Sequence, residues 1–368
     1  MLWFHGAIAT MNNQWSALRN RFRNGFPFLC ALALLASCSR ANQENRVVVY
    51  TSVDDVYSRD IAERFTRQTG VQVLLLTDTE ETKSTGLVNR LIAEKDRPQA
   101  DVFWSGDPAR TEVLKRHGVT MAYRSASASP RQLAMGDAEQ HFTALSSRLR
   151  VLLYNRDLVP PDRVPQSVFD LAKPEFRGRA CVANPLFGTT SMHAAALFQL
   201  LGEERAREFF ASLTSNHVAM LSSNGEVKRR VAAGDYAIGL TDSDDANVAL
   251  QDGKPVGWVL PDQEGIGTLL IPNAVCLIAG GPHQDNGRKF IDFVLSAEAE
   301  TLLAESSAVQ IPLREGLPTP KFFHRPLNEI RTMKIDYSAL ADQLEHLSGG
   351  FLGEWVSEHM NEAAPRTP

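Results

Sequence analysis

From Arg46 onward, short apolar runs alternate with longer amphipathic stretches. Val47–Tyr50 reads as a strand, and Val56, Tyr57, Ile61 and Phe65 then recur at helical spacing, with Gly70 as a stop. Val71–Leu76 is a second strand, Leu87, Leu91 and Ile92 mark a helix, and Ala100–Trp104 is a third strand. Pro108 suits the first turn of a helix that Gly118 closes. Ser125–Pro130 is a Ser/Ala/Pro loop, and Arg148–Tyr154 is an apolar strand leading out of this first set. A second set follows: strand Ala180–Ala183, helix Ser191–Leu201, strand Val218–Leu221, helix Glu226–Ala233 and strand Tyr236–Leu240. Thr268–Ala279, after Gly265 and Gly267, reads as a return strand, and the remainder is mainly helical with breaks at Gly281–Pro282 and Leu313–Pro320. Such alternation predicts an α/β chain with a mostly parallel sheet. We expect two doubly wound lobes joined by two crossing hinge strands, with a cleft between them. Lobe I takes 46–147 and about 277–330, lobe II takes 148–276 with the hinge strands at its ends, and 331–368 adds C-terminal helices that pack on the lobes. There is no internal repeat and no low-complexity tract.

The 368 residues suffice for two such bodies. The N-terminus reads as a leader. Arg19, Arg21 and Arg23 precede any acid, and Phe28–Ala36 is apolar but too short for a stable membrane span. The run ends in Leu35–Ala36–Ser37–Cys38, which resembles a bacterial lipobox. Residues 1–37 would then be a lipoprotein signal peptide, Cys38 the lipidated residue and 38–45 a tether, with Met11 as an alternative start. A plain signal peptide with an incidental cysteine is the competing reading. Ser39 after the cysteine hints at outer-membrane sorting. Loss of the leader removes three arginines and takes the net charge from −5 to −8, which argues against nucleic acid as a partner. No later segment has a long uncharged apolar run, so the body is expected to be soluble and only anchored. Cys30 leaves with the leader. Cys181 and Cys276 remain; an oxidising envelope permits a disulfide, but two separately buried thiols are preferred.

The candidate chemistry is acidic. Tyr236–Leu240 runs into Asp242, Asp244 and Asp245, three carboxylates in four residues. Asp54 follows the first strand, Glu80 and Glu81 the second, and Asp107 the third. All lie in strand-to-helix loops, which share one edge of a doubly wound sheet, where ligands bind. Converging carboxylates need a cation, protonation or hydrogen-bond donors. A hard metal, an ammonium ligand or a hydroxyl-rich one would each serve. The competing reading is helix capping, and at least one of Asp242, Ser243 and Asp244 is expected to cap. Gly188–Thr189–Thr190–Ser191 opens a helix, where free N–H groups and hydroxyls hold an anion or merely cap. Asn224 at the end of another strand, and Thr51 and Ser52 in the first lobe, offer polar contacts. Trp104 and His193 read as core, and His117 suits a helix C-terminus. No Gly-x-Ser-x-Gly elbow, His-Glu-x-x-His pair or P-loop is present. Lys83–Ser84–Thr85–Gly86 only faintly matches a penicillin-binding motif, and a metal-dependent hydrolase would rest on the three clustered acids alone.

An ordered set of motifs carries a family resemblance. After the lipobox come Val-Val-Val-Tyr-Thr-Ser-Val-Asp (47–54), Ala-Asp-Val-Phe-Trp (100–104), Asp-Leu-Ala-Lys-Pro-Glu-Phe-Arg-Gly-Arg (170–179) and Gly-Asp-Tyr-Ala-Ile-Gly-Leu-Thr (234–241). Together they resemble the periplasmic substrate-binding proteins of ABC importers, of the ferric-iron-binding type. The resemblance implies a non-enzymatic, envelope-located, two-lobed protein, expected as a monomer, that closes on its ligand and delivers it to a membrane permease. It implies a bound ferric ion or other hard cation, with a synergistic anion near Thr189, Thr190 and Ser191; relatives that bind phosphorylated sugars or phosphonates would place the phosphate there. Ferric-binding members use two adjacent tyrosines, a histidine after the first strand and a glutamate after the third. Here Asp244 and Asp245, Asp54, and Gly106 with Asp107 stand in those places, making Asp54, Asp107, Asp244 and Asp245 the candidate metal ligands. An organic solute such as a phosphorylated sugar, a phosphonate or a cationic amine is the alternative cargo.

Overall fold

A computed structural model describes residues 45–78 and 85–363. The segment expected to be a leader, Cys38 as the expected lipidation site, and Glu80 and Glu81 lie outside the described residues. From Val47 on, the described chain forms one compact unit.

Ten strands build it: β1 Arg46–Thr51, β2 Gln72–Thr77, β3 Val102–Ser105, β4 Thr120–Met121, β5 Thr143–Asn155, β6 Ala180–Ala183, β7 Ala219–Leu221, β8 Ile238–Asp242, β9 Val256–Val259 and β10 Leu270–Ile278. Their order is β2-β1-β3-β10-β5-β8-β6-β7, with β4 beside β10 and β9 beside β5. The expected mostly parallel sheet is corrected to a mixed one. β1 and β3 run parallel, as do β6 and its neighbours β7 and β8. β10 runs antiparallel to β3, β4 and β5, and β5 antiparallel to β8 and β9. An apolar run is the same for either direction; only a crossover helix enforces parallel pairing, and the crossing strands have none.

β5 is the long strand that serves both halves. Its residues 143–149 pair with β10, and 150–155 pair with β8 and β9. The change comes between Leu149, opposite Leu270, and Arg150, opposite Asp242. Pro272, which has no N–H for a ladder, sits at a bulge in β10. β4, β9 and the helix Glu203–Ser215 were not foreseen from the pattern, whereas the helix Ser243–Gln251 begins where the strand-to-helix loop after β8 was expected to end.

Helix Asp55–Thr69 buries Tyr57, Ile61 and Phe65, and Gly70 ends it at φ 72°. Val56, counted in the apolar stripe, is instead 62% exposed. Trp104 is fully buried and meets Phe290 edge-on, a core residue as expected. His117 caps the C-terminus of helix Pro108–Arg116. Cys181 on β6 and Cys276 on β10 are separate buried thiols. Helix Tyr337–Gly349 buries Leu340, Ala341, Leu344 and Leu347. It packs against both Pro108–Arg116 and Gly188–Leu201. No helix among the described residues is long and apolar enough to cross a membrane.

Candidate functional site

Five helices begin within a few residues of strand ends: Asp55–Thr69, Pro108–Arg116, Gly188–Leu201, Asn224–Ala233 and Ser243–Gln251. Their first turns or cap residues line one cleft of about 760 Å³, counting space open to solvent. Each helix start carries unsatisfied N–H groups and the positive end of the helix dipole. The same cleft holds Asp54, Asp107, Asp242, Asp244 and Asp245, together with the guanidinium of Arg148. It is therefore amphoteric, built of both anion-seeking and cation-seeking groups.

The sequence-derived candidates divide. Ser52, Asp54, Asp107, Thr189, Asn224, Asp242, Asp244 and Asp245 line the cleft. The Ser52 hydroxyl accepts from Gly106 N–H at 2.9 Å and so joins the loops after β1 and β3. Asp107 caps its helix by accepting from Arg110 N–H at 2.9 Å. Thr51 does not line the cleft: its hydroxyl donates to the Trp104 carbonyl and accepts from Val53 N–H inside the core. Thr190 and Ser191 turn away as well. Thr190 donates to Asn224 Oδ1, and Ser191 donates to the Gly188 carbonyl at 2.7 Å.

The cap expected among Asp242, Ser243 and Asp244 does not form. Asp242 stands at the cap position without a side-chain bond to the first turn, and Ser243 Oγ accepts from Leu149 N–H instead. The reason is that Asp242 is engaged elsewhere. Arg150 Nη1 donates to its Oδ1 at 2.7 Å, while Thr189 Oγ1 at 2.7 Å and Arg148 Nε at 3.4 Å donate to its Oδ2. Burial opposes ionisation of Asp242, but Arg150 and Arg148 outweigh it and hold its carboxyl below the usual carboxylate range. Asp245 accepts from Thr241 Oγ1 at 2.7 Å and pairs with Lys228 at 3.1 Å; burial, with Asp242 nearby, still pushes its carboxyl up.

Asp244 differs from both. Its Oδ1 is buried with no hydrogen-bond partner. Burial first, then the charges of Asp242 and Asp245, push its carboxyl up to about 8. One ligand oxygen from each of the three acids lies within 4.8 Å of the others. Tyr57 reaches the same corner; burial and then Asp244 raise its phenol well above the ordinary value, so it stays protonated.

The pattern reading missed Tyr57, Arg148, Arg150, Asn273 and Gln310. Arg148 Nη1 donates to Asn273 Oδ1 at 3.1 Å, and Asn273 Nδ2 donates to Gln310 Oε1 at 2.9 Å, forming the polar floor of the cleft. A signal for the arginines did exist. Arg148 and Arg150 share one face of a strand whose flanking residues are Leu149 and Val151, and a charge in such a strand requires a buried partner.

Known proteins agree with this architecture. The model of the bacterial extracellular solute-binding protein family matches residues 46–306. Iron uptake protein A1 of Synechocystis sp. is 26% identical over 319 residues, covering 80% of this chain and 86% of the relative. A putative 2-aminoethylphosphonate-binding periplasmic protein of Salmonella paratyphi A is 27% identical over 296 residues, covering 76% of this chain and 82% of the relative. Among solved structures, the periplasmic binding protein AfuA from Actinobacillus pleuropneumoniae, with fructose-6-phosphate bound, superposes with a TM-score of 0.75 at 23% identity, covering 86% of this chain and 98% of that one. That last likeness establishes the two-lobed periplasmic-binding-protein fold expected from the motifs. With a family model matching most of its length, the chain belongs to the bacterial extracellular solute-binding protein family.

Proposed function

We propose that this chain is the solute-binding component of an ABC importer. It works on the periplasmic side of a bacterial envelope, held by a lipid on Cys38, and hands its cargo to a membrane permease. Its cargo is a small organic zwitterion that carries an ammonium group and a phosphonate or phosphate group. The observation that carries this choice is the partnerless buried Oδ1 of Asp244, in the cleft that also holds the Arg148 guanidinium. The ammonium would sit against Asp244, with Asp54 and the neutral Tyr57 phenol alongside. The anionic end would take the first-turn N–H groups at Gly188–Thr189 and Asn224–Gly225, aided by Arg148. The Salmonella relative named for 2-aminoethylphosphonate and the Actinobacillus structure with a sugar phosphate support phosphorus-bearing cargo. Capture would proceed by hinge closure, with small dihedral changes in β5 and β10. The ligand must favour the closed state over the open one.

A hard cation such as ferric iron is the second reading. It is favoured by the mutual reach of Asp242, Asp244 and Asp245 and by the iron-uptake relative. Against it, Asp242 already pairs with two guanidiniums, which a cation would have to approach. Thermal unfolding of the mature protein with 2-aminoethylphosphonate or ferric citrate separates the two. At about 100 times its dissociation constant a ligand adds about 2.7 kcal/mol of stability, which is readily seen. Stabilisation by 2-aminoethylphosphonate is the expected result. Stabilisation by ferric citrate alone would overturn the zwitterion reading.

A further inference from the structure

Arg150 never reaches the cleft, yet it touches three residues that do. We propose that it is a positioning residue. It fixes the spacing of the helix starts that form the anion-binding half of the site, and it ties that half to the crossing strand. Its side chain is fully buried. Nη1 donates to Thr189 Oγ1 at 3.0 Å, Asn224 Oδ1 at 3.1 Å and Asp242 Oδ1 at 2.7 Å. Nη2 donates to Thr190 Oγ1 at 3.3 Å and the Leu240 carbonyl at 3.4 Å. One planar group thus holds the starts of helices Gly188–Leu201 and Asn224–Ala233 and the end of β8, where Ser243–Gln251 begins. Asn224 Nδ2 closes the ring by donating to Thr189 Oγ1 at 2.8 Å.

The place of Arg150 in β5 gives the arrangement its second property. Its N–H donates to the Leu269 carbonyl just before β10, and Arg150 itself lies opposite Asp242 of β8. It therefore sits where β5 exchanges one partner strand for the other. Movement of the crossing strand is transmitted to all three helix starts together. Core packing does not call for an arginine here. An ion pair in this position carries a desolvation cost that a pair of apolar side chains would avoid. What apolar side chains lack is the rigid fork of donors that sets distances between acceptors on separate elements. Nearby His193 adds no competing charge, because burial and then Arg150 push its imidazole down to about 3.

This inference rests on the zwitterion reading only for its binding arm. The test uses Arg150→Lys, which keeps a cation beside Asp242 but loses the fork. A second variant, Arg150→Met, leaves Asp242 its Arg148 and Thr189 partners if the first folds poorly. Hydrogen exchange on the ligand-free mature protein reads the amides at 191–194 and 227–230, the first that bond to backbone carbonyls in the opening turns of the two anchored helices. In either variant, exchange there should rise roughly tenfold while peptides from β6 and β7 stay protected. Affinity of Arg150→Lys for 2-aminoethylphosphonate should fall roughly ten- to a hundredfold, with ethanolamine, which lacks the phosphonate, little changed. Unchanged exchange at either turn overturns the proposal. So does a rise spread evenly over β6 and β7, since that is the mark of plain destabilisation. If the unmutated protein ignores 2-aminoethylphosphonate, the proposed ligand class fails, and the exchange pattern alone decides the role of Arg150.

Discussion

Asp244→Asn should stabilise the ligand-free protein at alkaline pH while removing its capacity to hold an amine. The carboxyl is pushed from its ordinary 3.8 to about 8, by burial and by Asp242 and Asp245. The folded protein thus keeps a proton that the unfolded chain has already released by neutral pH. Stability from this group is therefore lost as pH rises from about 4 to about 8, and the loss is complete above that. At about 1.4 kcal/mol per pH unit the ceiling is about 6 kcal/mol, and water at the cleft mouth reduces it to about 2 kcal/mol. Asparagine has no proton to lose. Thermal unfolding of the two proteins should coincide near pH 4.5 and separate by a few degrees at pH 9, with the variant higher. The same carboxylate attracts an ammonium only when ionised. Affinity of the unmutated protein for 2-aminoethylphosphonate should therefore climb through that window, and the variant should lose at least about 2 kcal/mol of binding, more than tenfold. A variant no more stable than its parent at pH 9, or one that still binds the amine, would refute the reasoning.

Two further outcomes follow from the core. Trp104→Ala should cost about 3–5 kcal/mol in urea unfolding by opening a void against Phe290, yet leave cleft affinity within about threefold, since the ring does not line the cleft. Burial pushes the Cys276 thiol up to about 12 and raises that of Cys181 as well, so neither should react with a thiol reagent at pH 8 until the protein is denatured.

The order of strands and helices was legible because periods of two and 3.6 are local properties. Strand direction was not, because β5 and β10 owe their antiparallel pairing to how the chain crosses between lobes. The site was legible to the level of loops. Asp54, Asp107 and Asp242 to Asp245 were found because strand ends meet at one edge. Individual roles were harder. Thr189, Thr190 and Ser191 are equivalent as letters, but each helical residue turns about 100° from the last, so only Thr189 faces the cleft. Asp242 resembled a cap because the cap position is local, whereas the arginines that claim its oxygens lie 92 and 94 residues away.

Those long-range partners also bear on the cargo. Three carboxylates in four residues suggest a demand for a highly charged cation, but the demand is set by what remains unpaired. Asp242 is matched by Arg148 and Arg150, Asp245 by Lys228, and Asp107 spends an oxygen on its helix. Asp244 keeps a buried oxygen with no partner. A ferric ion would bring three positive charges to a corner already supplied with two guanidiniums and an ammonium, and would have to displace some of them to find ligands. A single ammonium brings one charge and three donors, which suits one carboxylate beside an uncharged phenol. The five helix starts then remain for the opposite end of the same molecule, and this division of charge supports the proposed zwitterion over a bare cation or a bare anion.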